Sequence, residues 1–114
     1  MKKYLLVILF LIIGLGCKKA FKEPSTIYFY SVVASPTNSE SVTLKNNSGV
    51  LQDLSGWIIG DANNPNAYTI PAGTISQGEI LTFAAATMGF QINDSGETLY
   101  LKDSGGQLIS TWTN

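Results

Sequence analysis

The side chains best able to do chemistry in this chain are carboxylates: Glu40, Asp53, Asp61, Glu79, Asp94, Glu97 and Asp103. Two of them brought together could act as acid and base, one with a raised pKa beside one that stays ionised. Nearly all fall instead in turns or at strand starts, where a solvated carboxylate commonly caps backbone N–H groups. The partners that other mechanisms need are missing. The 114 residues include no His, no Arg and one Cys. Imidazole bases, His-bearing zinc or haem sites, intrachain disulfides and bidentate Arg clamps on phosphate are all removed. No Ser has a base at hand beyond an unsupported dyad with Lys45 or Lys102. A protein that is not an enzyme is expected.

Binding chemistry is less restricted. Asp61, Asn63, Asn64 and Asn66 place hard oxygen donors in one loop, and Asn93, Asp94 and Glu97 place more in another. Calcium takes such donors, but the spacing departs from the EF-hand loop and one carboxylate per loop binds weakly. Turn chemistry accounts for the same residues, so neither a metal nor another cofactor is expected. Over residues 27–114, 2 Lys stand against 7 acids, a net of −5. Neutralising phosphates needs the opposite sign, which argues against nucleic acid. Tyr28, Tyr30, Tyr68, Tyr100 and Trp112 could stack on sugars, although cross-strand packing explains each of them as well.

The single Cys closes an apolar segment. Met1-Lys2-Lys3 is followed by an unbroken run from Tyr4 to Ile13 and then by Gly14-Leu15-Gly16-Cys17. As a helix, Tyr4–Gly16 would rise roughly 20 Å, short of a roughly 30 Å hydrocarbon core. A basic start, a short apolar stretch and small closing residues describe a secretory signal over residues 1–16. Gly16-Cys17 resembles the end of the lipobox in bacterial lipoprotein signals, although the Leu usual three residues before the Cys stands one place late, at Leu15. The resemblance implies a diacylglyceryl thioether and an N-acyl chain on Cys17, and two or three acyl chains anchor stably where one does not. Lys18 directly after Cys17 resembles outer-membrane sorting in the envelope of two-membrane bacteria. Residues 17–26 then form the lipidated Cys and a flexible tether, polar and interrupted by Pro24. Its nine residues after Cys17 reach at most about 30 Å.

What these groups are mounted on is legible from Ile27 onward. Short segments alternate with turn clusters at intervals near ten residues. The expected strands are Ile27–Val33, Ser41–Asn46, Leu54–Gly60, Ala67–Ile70, Glu79–Ala84, Glu97–Lys102 and Gln107–Trp112. Asn-, Asp-, Gly- and Pro-rich stretches between them supply the conformations that tight turns need. Val42 and Leu44 alternate with Ser41, Thr43 and Lys45, and Leu99 and Leu101 alternate with Thr98, Tyr100 and Lys102. A period of two with one polar face means antiparallel sheet on a core. Only the stretch from Ala84 to Met88 suggests helix, about one turn of it. The expectation is an all-β fold: a sandwich of about seven antiparallel strands over residues 27–114.

Within that frame, Ser41-Val42-Thr43-Leu44-Lys45-Asn46, Asp53-Leu54-Ser55-Gly56-Trp57-Ile58-Ile59 and Tyr68-Thr69-Ile70-Pro71-Ala72-Gly73 form a recognisable pattern. Asn93-Asp94-Ser95-Gly96-Glu97-Thr98-Leu99-Tyr100-Leu101-Lys102-Asp103 completes it. Together they resemble the lamin tail domain, an immunoglobulin-like module. Leu54, Gly56 and Trp57 carry the most specific part. Trp57 can bury about 150–250 Å², and Gly56 removes a side chain that would block close backbone approach. The expected molecule is a membrane-anchored, non-catalytic protein-interaction or scaffolding module of the bacterial cell envelope. It would be held through lipid on Cys17 and would recruit an envelope protein or polysaccharide. The alternative is an envelope carbohydrate-binding or calcium-dependent adhesion module. The candidate interaction surface comprises Asp61, Asn63, Asn64, Tyr68, Tyr100 and Lys102.

Overall fold

Turn residues cut the chain into short strands too brief to stand alone, so each must pair to satisfy its backbone. The computed structural model describes residues 23–114, and the signal segment 1–16, Cys17 and tether residues 18–22 lie outside them. The described residues form β1 (Ile27–Val33), β2 (Ser41–Asn46), β3 (Gln52–Asp53), β4 (Ile58–Asp61), β5 (Tyr68–Thr69) and β6 (Thr74–Ile75). They continue with β7 (Ile80–Ala84), a one-turn helix α1 (Ala85–Met88), β8 (Thr98–Lys102) and β9 (Leu108–Thr113).

All pairings are antiparallel. One sheet has the order β1-β2-β7 and a second β5-β4-β8-β9, while β3 and β6 make a two-stranded ribbon. The chain crosses between the main sheets three times, from β2 to β4, from β5 to β7 and from β7 to β8, so each layer is assembled from separate parts of the sequence. The expected sandwich is therefore present.

Two local expectations change. Leu54–Gly60 does not run as one strand, because Gly56 adopts φ 81° and the Trp57 N–H turns back to Leu54 O at 3.0 Å. Pairing in β4 begins only at Ile58. The β3–β6 ribbon has two residues per strand, too few to show an alternating pattern in the sequence.

The core lies between the sheets. Ile27 and Phe29 of β1, Val42 and Leu44 of β2, Ile59 of β4 and Leu99 and Leu101 of β8 point into it. Leu54, Trp57, Ile70, Met88 and Ile92 enter from the connections. Full burial of such side chains is worth roughly 1.5–3 kcal/mol each, before the entropy of ordering is subtracted. α1 ends where Gly89, at φ 79°, bonds back to Ala85 O at 2.8 Å, leaving Met88 buried as a plug.

The register gives the sandwich two ends. At the proximal end, Ile27 faces Asn46, Lys45 faces Ile80 and Ile58 faces Lys102. The incoming residues 24–26, the turn after β2, the β6–β7 turn and the β8–β9 hairpin gather there. The β3–β6 ribbon lies between the two layers. Its Ile75 O accepts Asn46 Nδ2 from the β2 side (2.7 Å), and beyond its last rung, Leu54 N to Gly73 O (2.8 Å), Ile70 N donates to Trp57 O beside β4 (2.8 Å). The distal end holds the β1–β2 connection, the β4–β5 loop and residues 85–97.

Candidate functional site

The β4–β5 loop at the distal end is built around one carboxylate. Asp61 continues the inward register of Ile59 and is only 9% exposed. Its Oδ1 accepts the backbone N–H groups of Asn63 (2.9 Å) and Asn64 (2.7 Å), while its own N–H donates to Asn64 O (3.0 Å). The loop then folds back over Gly60. A Cβ there would overlap the Pro65 carbonyl and come within 2.6 Å of Asn64 O. Only glycine leaves room for this crossing. Asn63 and Asn64 are exposed. As a cation ligand set the loop is weak, since one Asp61 oxygen already holds two backbone donors.

Tyr100 and Lys102 stand with Thr98 on the outward face of β8. Tyr100 lies opposite Gly60 and Thr111, and Lys102 opposite Ile58 and Leu108. Register therefore places the Asn64–Pro65 crossing beside Tyr100 on one face of the four-stranded sheet. Tyr68 is not part of that face. It pairs with Ile59 on the inward register and packs against Phe83 of the other sheet, ring centroids 5.9 Å apart. Of the six residues, Asn63, Asn64, Tyr100 and Lys102 are available at a surface, whereas Asp61 and Tyr68 serve the loop and the interlayer contact.

The signature residues sit at the proximal end. Leu54 is fully buried and Trp57 is 9% exposed. Gly56 supplies the left-handed turn, and a Cβ on it would press on Ser104 Cβ at 3.2 Å. Asp53 Oδ1 accepts Ser55 N (3.0 Å) and Oγ (2.7 Å), and these bonds hold its carboxyl below the ordinary range. Glu79 is lowered in the same way, by the Ser76 backbone N–H (2.6 Å).

Three polar residues organise the ends from inside: Asn46, which carries no chemistry of its own, and Glu40 and Glu97, whose type and place at strand starts suggest solvent. Asn46, wholly buried, donates to Val50 O (2.8 Å) and Ile75 O (2.7 Å) and accepts from Ser48 N (2.9 Å). Glu40, 5% exposed, accepts Ile92 N at 2.7 Å. Glu97, 3% exposed, accepts Asn93 N at 3.0 Å and Thr98 N at 3.2 Å. The signal was parity. Glu40 and Asn46 extend the inward series Val42, Leu44, and Glu97 extends Leu99, Leu101. Among the described residues, no fully buried side-chain N or O lacks a partner.

Glu23 was not foreseen either. Its Oε1 accepts Lys45 Nζ at 2.9 Å and Tyr28 OH at 2.7 Å, and Lys45 Nζ lies 5.1 Å from the Tyr30 ring centre. Lys45 first, then Tyr28, hold the Glu23 carboxyl below its ordinary value. Partial burial and then Glu23 push Tyr28 up to about 12. Pro24 O and Thr26 O accept Asn47 Nδ2 (2.7 Å) and Asn47 N (3.0 Å). The chain is thus fastened to the body from residue 23 on, four residues before β1.

Two antiparallel sheets with crossing connections and a Trp-keyed turn at one end define an immunoglobulin-like β-sandwich. The sequence matches the Lamin Tail Domain family over residues 22–114, and the chain belongs to that family. No match was found among curated proteins.

Proposed function

We propose that this chain is a lipid-anchored, non-catalytic interaction module of the bacterial cell envelope, probing for its partner with its distal end. The observation that carries this reading is the polarity of the sandwich. Residues 23–26, which lead back to Cys17, are hydrogen-bonded at the proximal end, and the Asp61–Asn66 loop stands at the other. An anchor on Cys17 would then leave that loop and the Tyr100 surface beside it free for recruitment, with Lys102 on the same face but nearer the proximal end. Six of the seven carboxylates that could have done acid–base work are occupied with backbone N–H groups: Glu40, Asp61 and Glu97 at the distal end, Asp53, Glu79 and Asp103 at the proximal end. The seventh, Asp94, is exposed.

The test has two parts. Cys17→Ser should move the protein out of the membrane fraction, and retention of the variant would remove the anchor. A photocrosslinking residue at Asn64 should capture one dominant envelope partner in intact cells, where the same group at Gln77 on the proximal end does not. Equal capture at both positions would defeat the polarity argument.

A saccharide-binding reading is favoured by one feature, a groove of about 390 Å³ between the edges of β1 and β9, lined by Glu23, Tyr28, Tyr30, Ser110 and Thr111. Half-exposed Tyr30 and the hydroxyls suit a sugar ring. Loss of envelope polysaccharide binding in Tyr30→Ala, with membrane association intact, would support this reading over protein recruitment.

A further inference from the structure

Two large apolar residues stand side by side in water at the tip of the β2–β3 connection: Val50 is 58% and Leu51 64% exposed. Their turn is built to hold them there. Asn46 grips Val50 O from inside, Ser48 N and Oγ bond to Asn46 Oδ1 at 2.9 and 2.7 Å, and Gly49 N donates to Gln77 Oε1 at 2.6 Å. A turn bonded through its backbone cannot readily fold its apolar tip inward.

The position of the tip suggests what covers it. Asn47, three residues before Val50, bonds to Pro24 and Thr26, so the tip and the incoming chain share one corner of the proximal end. Cys17 is six residues before Glu23, a fully extended reach of about 20 Å. We propose that Val50 and Leu51 enter the interfacial layer of the same bilayer that holds the lipid on Cys17, a second point of attachment that orients the sandwich. This inference rests on the anchoring proposed above. Insertion is driven by apolar contact, because Asp53, Glu79 and Asp103 lie at the same end and do not favour anionic headgroups. Lys18, Lys19 and Lys22 supply the charge attraction from the chain leading in. Apolar side chains at such depth bury themselves about 5–10 Å into the boundary between headgroups and acyl chains.

The acylated full-length protein, purified from membranes, offers a direct test, since a thioether on Cys17 leaves no other thiol. An environment-sensitive fluorophore is attached at Leu51→Cys or, as a distal control, at Ser95→Cys. Each protein is reconstituted into phosphatidylethanolamine–phosphatidylglycerol vesicles with and without a lipid-borne quencher. The expected result is a blue shift and loss of most emission to the quencher at position 51, with water-like emission at position 95. Adding Val50→Asp to the Leu51→Cys protein should return its emission toward the aqueous value; both positions are exposed, so folding tolerates the changes. Aqueous emission at both positions, with one fluorophore per chain by mass spectrometry, overturns insertion while leaving the anchor standing. Two fluorophores per chain show an unmodified Cys17 and remove the anchor and the inference together. A blue shift that follows protein concentration and ignores the quencher places the tip against a second copy instead, and also overturns it.

Discussion

The two ends of the sandwich solve one problem with different chemistry. Each must close the gap between two sheets and satisfy backbone groups that the strands no longer pair. The proximal end does so with a neutral amide, Asn46, which both donates and accepts, and with an apolar key, Trp57. The distal end does so from inside with buried carboxylates, Glu40, Asp61 and Glu97, which only accept and therefore meet N–H groups. At its rim the exposed Asn114 amide accepts from Glu97 N and donates to Asn93 O and Asp94 O. Both domain lysines, Lys45 and Lys102, fall in the proximal half, so the distal carboxylates are balanced by backbone dipoles rather than by cations. The ends also differ in what they show to solvent: Val50 and Leu51 at one, Asn63 and Asn64 at the other. The closures are structural, and the exposed tips beyond them are the surfaces that the two proposals above assign to different partners.

Trp57→Ala should cost about 3–5 kcal/mol by leaving a cavity at the proximal end, measured by urea unfolding; near-wild-type stability would mean that this end is not keyed by the indole. Gly60→Ala probes the distal end, where a methyl group collides with the Pro65 carbonyl. It should cost about 3 kcal/mol, and a loss under half of that would show that the loop re-routes freely.

Asn46→Ala leaves two carbonyls without their donor and should cost about 2 kcal/mol. Amide exchange should speed up in the turn after β2 and stay unchanged at Asn63 and Asn64. Spread of the effect to the distal loop would mean that the ends are not independent.

The smallest effect belongs to Glu23. Because its folded-state pKa is depressed, its contribution is present above the unfolded value of 4.5 and is lost as pH falls through the lower folded value. Wild type and Glu23→Gln should differ slightly at neutral pH and converge in acid. Lys45 is raised by the same contact, so its share is present below its unfolded value of 10.5 and is lost as pH rises through the folded one. A difference that persists unchanged at low pH would show that Glu23 acts otherwise than through its charge.

Much of this was legible in the residue pattern. The alternation of Val42 with Leu44 and of Leu99 with Leu101 marks the inward faces, and the Asn-, Asp- and Gly-rich clusters mark the turns. Leu54-Ser55-Gly56-Trp57 carries the family resemblance, and the match over residues 22–114 agrees with it. Pushed one step further, the same alternation finds Glu40, Asn46, Asp61 and Glu97, because each continues an inward series at the last residue of its strand or one residue beyond it. Their polarity suggested solvent instead. Tyr68 misleads for the converse reason: a hydroxyl on a short strand next to a polar loop suggests surface, while pairing with Ile59 turns its ring toward Phe83. Glu23 gave no pattern at all, since its partners Tyr28 and Lys45 lie on adjacent strands whose register no local signal reveals.

By itself the sequence determined the period of the strands, the places where the chain turns and the absence of imidazole and guanidinium chemistry. These depend on residue type and on neighbours a few positions away. Only the tertiary structure decided which polar groups are spent on closing the ends, that the crossing over Gly60 sits beside Tyr100, and that the incoming chain shares a corner with Val50 and Leu51. Those facts depend on which distant strands pair and in what register. That outcome is settled by burial of the whole core at once, not by any segment alone.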